Sequence, residues 1–252
     1  MRRINSASVT FFAFLFIFLS ACSDDDSSES MVLSRPTLAT VLESREIERG
    51  NVIACAASNE NPEVVSVFLY PRPGVGNIRY FETASAEVNA NDFNNYSEVL
   101  LPLLDVFNGY LLKYEVDPEV EKWVVVTFEE DGKVHLSNPI RLKHISKPTE
   151  YLPENVSVDN TSSMPNFSWI DGRFDDSVIY FHVVSDESDA LLSGTYTVER
   201  MFQYYKLDNV VLNITREQPP ELETDQPYGF SLLAVSEDNW VNLFAEVDFE
   251  LE

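Results

Sequence analysis

From Asn51 to the end of the chain, apolar residues come in short runs rich in Val, Ile, Phe and Tyr. Each run stops at a cluster of Gly, Pro, Asn, Asp or Ser. Runs of about 4–8 such residues between turn formers are strands. Val64–Tyr70 and Val178–Val184 are nearly continuous, whereas Tyr110, Leu112, Tyr114 and Val116 alternate with less apolar neighbours. That period of two marks a half-buried strand. No stretch carries a convincing helical period; a short helical turn competes only at Met201–Lys206. The chain is expected to be all-β.

The punctuation divides the strands into two sets. The first, over residues 35–146, takes in Thr37–Leu42, Asn51–Ala57, Val64–Tyr70, Ile78–Glu82, Tyr110–Val116, Trp123–Phe128 and Val134–Leu142. Pro102 places Val99–Leu104 at an edge or in a loop, because proline cannot donate to a ladder. Asp131-Gly132 is the clearest hairpin signal, since both residues tolerate the positive φ of a tight turn. About seven short strands without a helix read as a β-sandwich. Residues 147–154, with Pro148 and Pro153, are expected as a linker, and residues 155–252 as a second sandwich. Trp123 and Trp169 lie on expected strands and should be core.

The second half resembles a fibronectin type III domain. Pro165-Asn166-Phe167-Ser168-Trp169 looks like the family's second strand, whose Trp fills the core. Leu222 stands six residues before Tyr228, the spacing of the family's Leu…Tyr corner. The resemblance implies that the Tyr228 hydroxyl bonds back to the main chain. Thr224 and Gln226 depart from the usual Pro and Thr. The first half is similar at its end, where Trp123–Thr127 followed by Ser137-Asn138-Pro139-Ile140 looks like the last two strands. Trp123 stands there for the expected Tyr, and Asp117 for the Leu. The expected fold is therefore two tandem immunoglobulin/fibronectin III-like β-sandwiches after a lipoprotein signal peptide.

The first residues set the location. Arg2-Arg3, an apolar run from Phe11 and the small residues Ser20 and Ala21 follow the plan of a secretory signal peptide over 1–21. The apolar run is short of the roughly 20 residues a membrane span needs. Leu19-Ser20-Ala21-Cys22 resembles the lipobox of bacterial lipoproteins, which implies acylation of Cys22, as with palmitate, and a membrane partner reached through that lipid. Residues 22–34 are acidic and polar, an expected disordered tether. Ser23-Asp24-Asp25-Asp26 also resembles the surface-export signal of Bacteroidota outer-membrane lipoproteins. The expected location is the outer membrane, facing the exterior.

Charge narrows the partners. The chain carries 42 Asp and Glu against 17 Lys and Arg, a formal net charge of −25. Nucleic acid is excluded, because its phosphates need a basic face. Docking on anionic lipid through the protein surface is disfavoured for the same reason. With Cys22 lipidated, Cys55 has no disulfide partner; in Val52–Ala57 it reads as a small hydrophobe.

No nucleophile elbow, zinc-binding His-Glu-x-x-His, phosphate loop or dinucleotide fingerprint is present. No catalytic residue, metal ligand or cofactor site is assigned, and the chain is read as a non-enzyme. The acidic loops Asp171–Asp176 and Asp186–Asp189 match no calcium-loop spacing and read as solvated turns. Trp240, with polar neighbours Asp238, Asn239 and Asn242, sits where the last turn should be. It reads either as a platform for a sugar ring or as a lid over the end of the sandwich. Tyr70 and Tyr204-Tyr205 are weaker aromatic candidates. Asp176-Ser177-Val178 fits the short O-glycosylation pattern of Bacteroidota, with Ser177 as acceptor. Two functions follow: a binding module for polysaccharide or another extracellular ligand, or an accessory lipoprotein that docks another envelope protein. An enzyme would require a deep cleft with paired carboxylates between the domains.

Overall fold

Residues 35–252, except Glu60 and Pro62, are described by a computed structural model. The expected signal peptide, the Cys22 lipidation site and the expected tether lie outside these residues. The first sandwich uses β1 Ile47–Val52, β2 Ala54–Ser58, β3 Val65–Leu69, β4 Gly76–Glu82, β5 Ser97–Val99, β6 Leu104–Val106, β7 Leu111–Val116, β8 Trp123–Glu130, β9 Lys133–Ser137 and β10 Ile140–Arg141. One sheet runs β1-β9-β8-β4-β5, with β10 on β8, and the facing sheet runs β2-β3-β7-β6. The leading segment switches sheets at Ile53: β1 is parallel to β9, whereas β2 is antiparallel to β3.

The second sandwich uses β11 Glu150–Tyr151, β12 Val156–Asp159, β13 Asn166–Trp169, β14 Ser177–Asp186, β15 Leu191–Thr197, β16 Met201–Gln203, β17 Val210–Asn213, β18 Tyr228–Ser236 and β19 Val241–Phe249. Its sheets run β11-β19-β18-β14-β15-β17 and β12-β13-β16. The plan of the first half recurs here. A leading strand again lies parallel to the second strand of a long closing hairpin, β19 here and β9 in the first half, beside the same chain of antiparallel neighbours. The fold is a tandem of immunoglobulin/fibronectin III-like sandwiches.

Local chemistry explains most boundaries. Asp131 and Gly132 adopt φ of 50° and 78° and close the β8–β9 hairpin, as tight turns with two positive φ angles require. The Tyr228 hydroxyl accepts a 2.9 Å hydrogen bond from the Glu223 main-chain N–H, and Leu222 is buried in the core beneath it. The expected corner is therefore present. Two sequence expectations fail. Thr37–Leu42 is not a strand: Thr37 caps a one-turn helix, Leu38–Leu42, by accepting from the Thr40 N–H, the usual use of Thr at an N-cap. Met201–Lys206 is not helical, because Phe202 is paired to Phe167 across β13–β16 and buried.

The four sheets stack as layers with three apolar seams. Tyr114, Val124, Val126 and Phe128 fill the first sandwich. Phe167, Trp169, Phe230 and Leu232 fill the second. Between them lies a third seam, where Ala57 and Leu111 of the β2-β3-β7-β6 sheet meet Phe181, Val183, Leu233 and Val235 of the large second sheet. The run Val178–Val184 is near-continuous for this reason. Tyr180 and Val184 face one seam, Phe181 and Val183 the other. A strand buried on both faces loses its polar alternation. Burying each such side chain contributes roughly 1.5–3 kcal/mol, so the sandwiches are joined by a core rather than by a tether. Residues 35–252 form one compact unit. No helix among the described residues is long and apolar enough to cross a membrane.

Replacing Tyr228 by Phe keeps the ring in the core and removes only the corner bond. The expected loss is about 1 kcal/mol in urea unfolding. No loss, or one as large as for Tyr228→Ala, would show that the bond does not secure the corner.

Candidate functional site

The residues expected to hold a ligand do different work. Trp240 is 0% exposed, which corrects the sugar-platform expectation: a buried ring has no free face. It lies in the hairpin between β18 and β19, yet it packs into the core of the first sandwich beside Ala56, Val67 and Tyr114. The lid reading was nearer, but the sandwich it closes is the neighbouring one. Its indole N–H donates to the Lys147 carbonyl at 2.7 Å. The whole turn is fastened with it. The Ala56 N–H donates to the Asn239 carbonyl at 3.0 Å and the Arg141 N–H to the Asp238 carbonyl at 3.0 Å. Asn239 Nδ2 donates to the Pro139 carbonyl, and Asp238 pairs with Lys143 at 2.6 Å. Asn242 is 1% exposed and donates to Asp176 Oδ1 and Ser177 Oγ at 2.8 and 2.9 Å. Trp240, Asp238 and Asn239 clamp the two sandwiches together, and Asn242 braces the start of β14. Trp240 and Asn242 are buried and present no surface to a ligand, and Asp238 and Asn239 are partly exposed with their polar groups engaged across the joint. Ser177 is half-buried at that start.

The other aromatic candidates are also engaged. Tyr70 stacks on Tyr110 at 6.0 Å between ring centres, and the Arg216 guanidinium covers both, 4.2 Å from the Tyr110 centroid. The Tyr110 hydroxyl donates to the Ile214 carbonyl at 2.8 Å and accepts from the Arg216 N–H at 2.7 Å. This is a second clamp between the halves. Tyr204 is buried with its hydroxyl on the Pro220 carbonyl; Tyr205 is exposed beside it. Trp169 is core as expected. Trp123 is only half-buried, its indole N–H on the Ala86 carbonyl: on β8 the inward positions are Val124 and Val126, which corrects its expected core place. Residues 147–154 are not slack. Thr149 accepts from the Ser58 N–H at 2.9 Å and donates to the Val241 carbonyl at 2.8 Å, and Glu150–Tyr151 pair with β19.

The buried histidine, the cysteine and the acidic loops have structural surroundings. His182 is buried in the second core, with Nδ1 3.0 Å from Thr195 Oγ1 and its ring 4.2 Å from Phe202. Burial lowers its pKa to about 3. Burial likewise pushes the Cys55 thiol up to about 12, which makes it a poor nucleophile. Asp171 serves the Tyr180 hydroxyl and Arg200, and Glu150 pairs with Arg173. Among the described residues no three His, Cys, Asp or Glu converge as metal ligands.

A cleft of about 810 Å³ remains between the β2-β3-β7-β6 sheet and the large sheet of the second sandwich. Strand register grades its walls. Along β7 the lining passes from buried Leu111 to Lys113 and Glu115. On the facing wall Leu233 pairs with Phe244, and Ser231 with Glu246 two residues on. The cleft thus has an apolar stretch flanked by carboxylates: Glu115 and Glu246 lie beyond it on β7 and β19, and Asp105 and Asp189 lie by the β6–β7 turn beside Leu111. Tyr151, 59% exposed, lies 5.8 Å from Phe244 at its edge. Phe107 also lines it, with φ of 49°. A bulky residue in the left-handed region is an outlier of the kind that collects at functional sites. The cleft escaped sequence reading because its walls belong to strands about 130 residues apart; the only local signal was the two-faced apolar run of β14.

No family model and no curated protein matches the chain. Among solved structures it is similar to the FN1–FN3 domains of chicken CNTN1, at 14% identity and a TM-score of 0.26, over 82% of this chain and 68% of that one. The fold assignment rests on the strand order and the Tyr228 corner.

Two outcomes follow. Trp240→Ala is expected to cost about 3–5 kcal/mol, the range for a buried large aromatic, in the chemical unfolding of residues 35–252. A change under 1 kcal/mol would mean the indole is not a core side chain. For His182, the folded ring stays neutral to about pH 3, whereas the unfolded ring protonates near 6.5. Its stabilising contribution is therefore complete above about pH 6.5 and is lost as pH falls toward 3. Between pH 7 and 4.5 the wild type should lose on the order of 2–3 kcal/mol relative to His182→Phe; parallel pH profiles would contradict a neutral core histidine.

Proposed function

We propose that this protein is a lipid-anchored, surface-exposed, non-catalytic binding module whose ligand sits in the cleft between the sandwiches. The observation that carries the reading is the graded cleft. Two sheets held by hydrogen-bonded clamps enclose a space whose apolar walls are flanked by carboxylates. Ligand pockets of about 300–1,000 Å³ commonly combine apolar walls with a few placed polar groups. The walls at Leu111, Leu233 and Phe244 suit a ligand with an apolar body better than a bare polysaccharide, so the ligand falls in the wider class of extracellular molecules. The clamps favour binding by pre-organising the cleft, which reduces the ordering cost of association. Anchoring through acyl chains on Cys22 would hold this unit at the outer membrane, facing outward.

The rival reading, an accessory lipoprotein that docks a protein, has its own support. Edge strand β17 carries Val211 and Leu212 exposed, with Met201 and Leu207 exposed nearby. An uncovered apolar edge is a docking template for another strand.

The cleft reading is tested with 1-octanol, a neutral probe with an apolar body, titrated into residues 35–252 while amide shifts are followed. Shifts centred on Leu111, Ser231 and Phe244 are expected. Glu246→Trp, which covers that flank of the cleft from an exposed position, should abolish them at unchanged melting temperature. Absence of saturable shifts in the cleft would sink the reading. For the anchor, Cys22→Ser should remove palmitate labelling and release the protein from the envelope of bacteria making the full chain. Continued labelling would place the lipid elsewhere.

A further inference from the structure

The geometry points to a small amphipathic cation as the ligand: an organic molecule with an apolar body and an ammonium or guanidinium end. The inference rests on the cleft being the ligand seat and adds the charge of what it takes. The cleft carries four carboxylates, Asp105, Glu115, Asp189 and Glu246, against a single cationic side chain, Lys113. Lys113 is already spent, with its Nζ 2.6 Å from Glu115 Oε1. Asp105, Asp189 and Glu246 have no cation within salt-bridge distance among the described residues. Elsewhere the chain places its few cations on its carboxylates: Lys122 on Glu82, Lys133 on Glu46 and Glu48, Lys143 on Asp238 and Arg200 on Asp171. Asp105, Asp189 and Glu246 are left without a cation, as are many carboxylates of this acid-rich chain; what distinguishes them is that they line the cleft.

Position gives the leftover charge its meaning. Glu246 stands directly across from Ser231, one step outward from the Leu233–Phe244 pair. A ligand whose apolar part contacts Leu233 and Phe244 brings its head within reach of the Glu246 carboxylate. Low-dielectric walls focus the field of unpaired acids, and the net charge of −25 adds a long-range attraction of the same sign. An anionic head at the same place would meet the Glu246 carboxylate, with the cleft's one cationic side chain, Lys113, already engaged by Glu115. The volume, about 810 Å³, is that of a small-molecule site, and the clamps on either side leave the two walls joined.

The test uses three probes that share one chain and differ in head charge: octyltrimethylammonium, 1-octanol and octyl sulfate, each below its micelle concentration. Isothermal titration of residues 35–252 should give the cation at least about tenfold tighter than the anion, with the alcohol between. The double variant Asp189→Lys/Glu246→Lys should level or invert that order. A control, Glu43→Lys/Glu237→Lys, changes net charge equally at exposed acids outside the cleft lining; it should leave the ratio within about twofold at 0.15 M salt. Equal affinity for cation and anion, with octanol still bound, overturns the charge inference and leaves the cleft reading standing. A control that shifts the ratio as far as the cleft variant also overturns it, since the preference would then belong to the whole surface. Binding of none of the three removes the cleft reading itself.

Discussion

Insertion of Trp240 into the neighbouring sandwich is the contact on which the arrangement of the two halves depends. A hairpin tip is normally the wettest part of a sandwich. Here its indole is fully buried among side chains of the other domain, and its N–H is satisfied by Lys147. A buried indole that lost its host core would expose a large apolar surface and leave its neighbours around a cavity. The first core is thus incomplete without the second domain's last hairpin. The seam of Phe181, Leu233 and Leu111 extends the same dependence across the facing sheets.

That dependence produces the cleft. Two sandwiches on a free linker would present independent convex surfaces. Fastened by the Trp240 turn, by Thr149 and by the Tyr110–Arg216 pair, their facing sheets are held face to face with a space remaining. The alternation of strand residues then decides what lines that space. Along β7, β18 and β19 the residues lining it pass from Leu111, Leu233 and Phe244 to Glu115, Ser231 and Glu246. The same period that builds a core therefore also sets the lining of the cleft.

The sequence made the strands, the Asp131-Gly132 hairpin and the Leu222–Tyr228 corner legible, because each depends on residues close in the chain. The layering was only half visible. Val178–Val184 is apolar on both parities, and in a small antiparallel sandwich that demands a cover for the outer face. Its cover, around Ala57, Phe68 and Leu111, lies about 70 residues or more away, and no local signal names it. Trp240 misled for a related reason. Asp238, Asn239 and Asn242 looked like ligand-binding groups because they are polar beside an aromatic. Their polarity serves carbonyls and carboxylates of a surface that only the folded tandem brings near.

The acid excess has a structural reading as well as a functional one. With 17 basic residues against 42 acidic ones, the chain cannot neutralise every carboxylate. Its cations therefore mark where charge had to be balanced. Lys143 and Lys147 sit at the Trp240 clamp, on Asp238 and Asp176, and Arg216 covers the Tyr70–Tyr110 stack. Such pairs contribute little each at an exposed surface. Near a desolvated joint an unpaired acid would be costly. Three of the four cleft acids, Asp105, Asp189 and Glu246, remain unpaired, and they can do so because they are exposed to water. A ligand that covers them would remove that water, so the carboxylates would then need a cation supplied by the ligand itself.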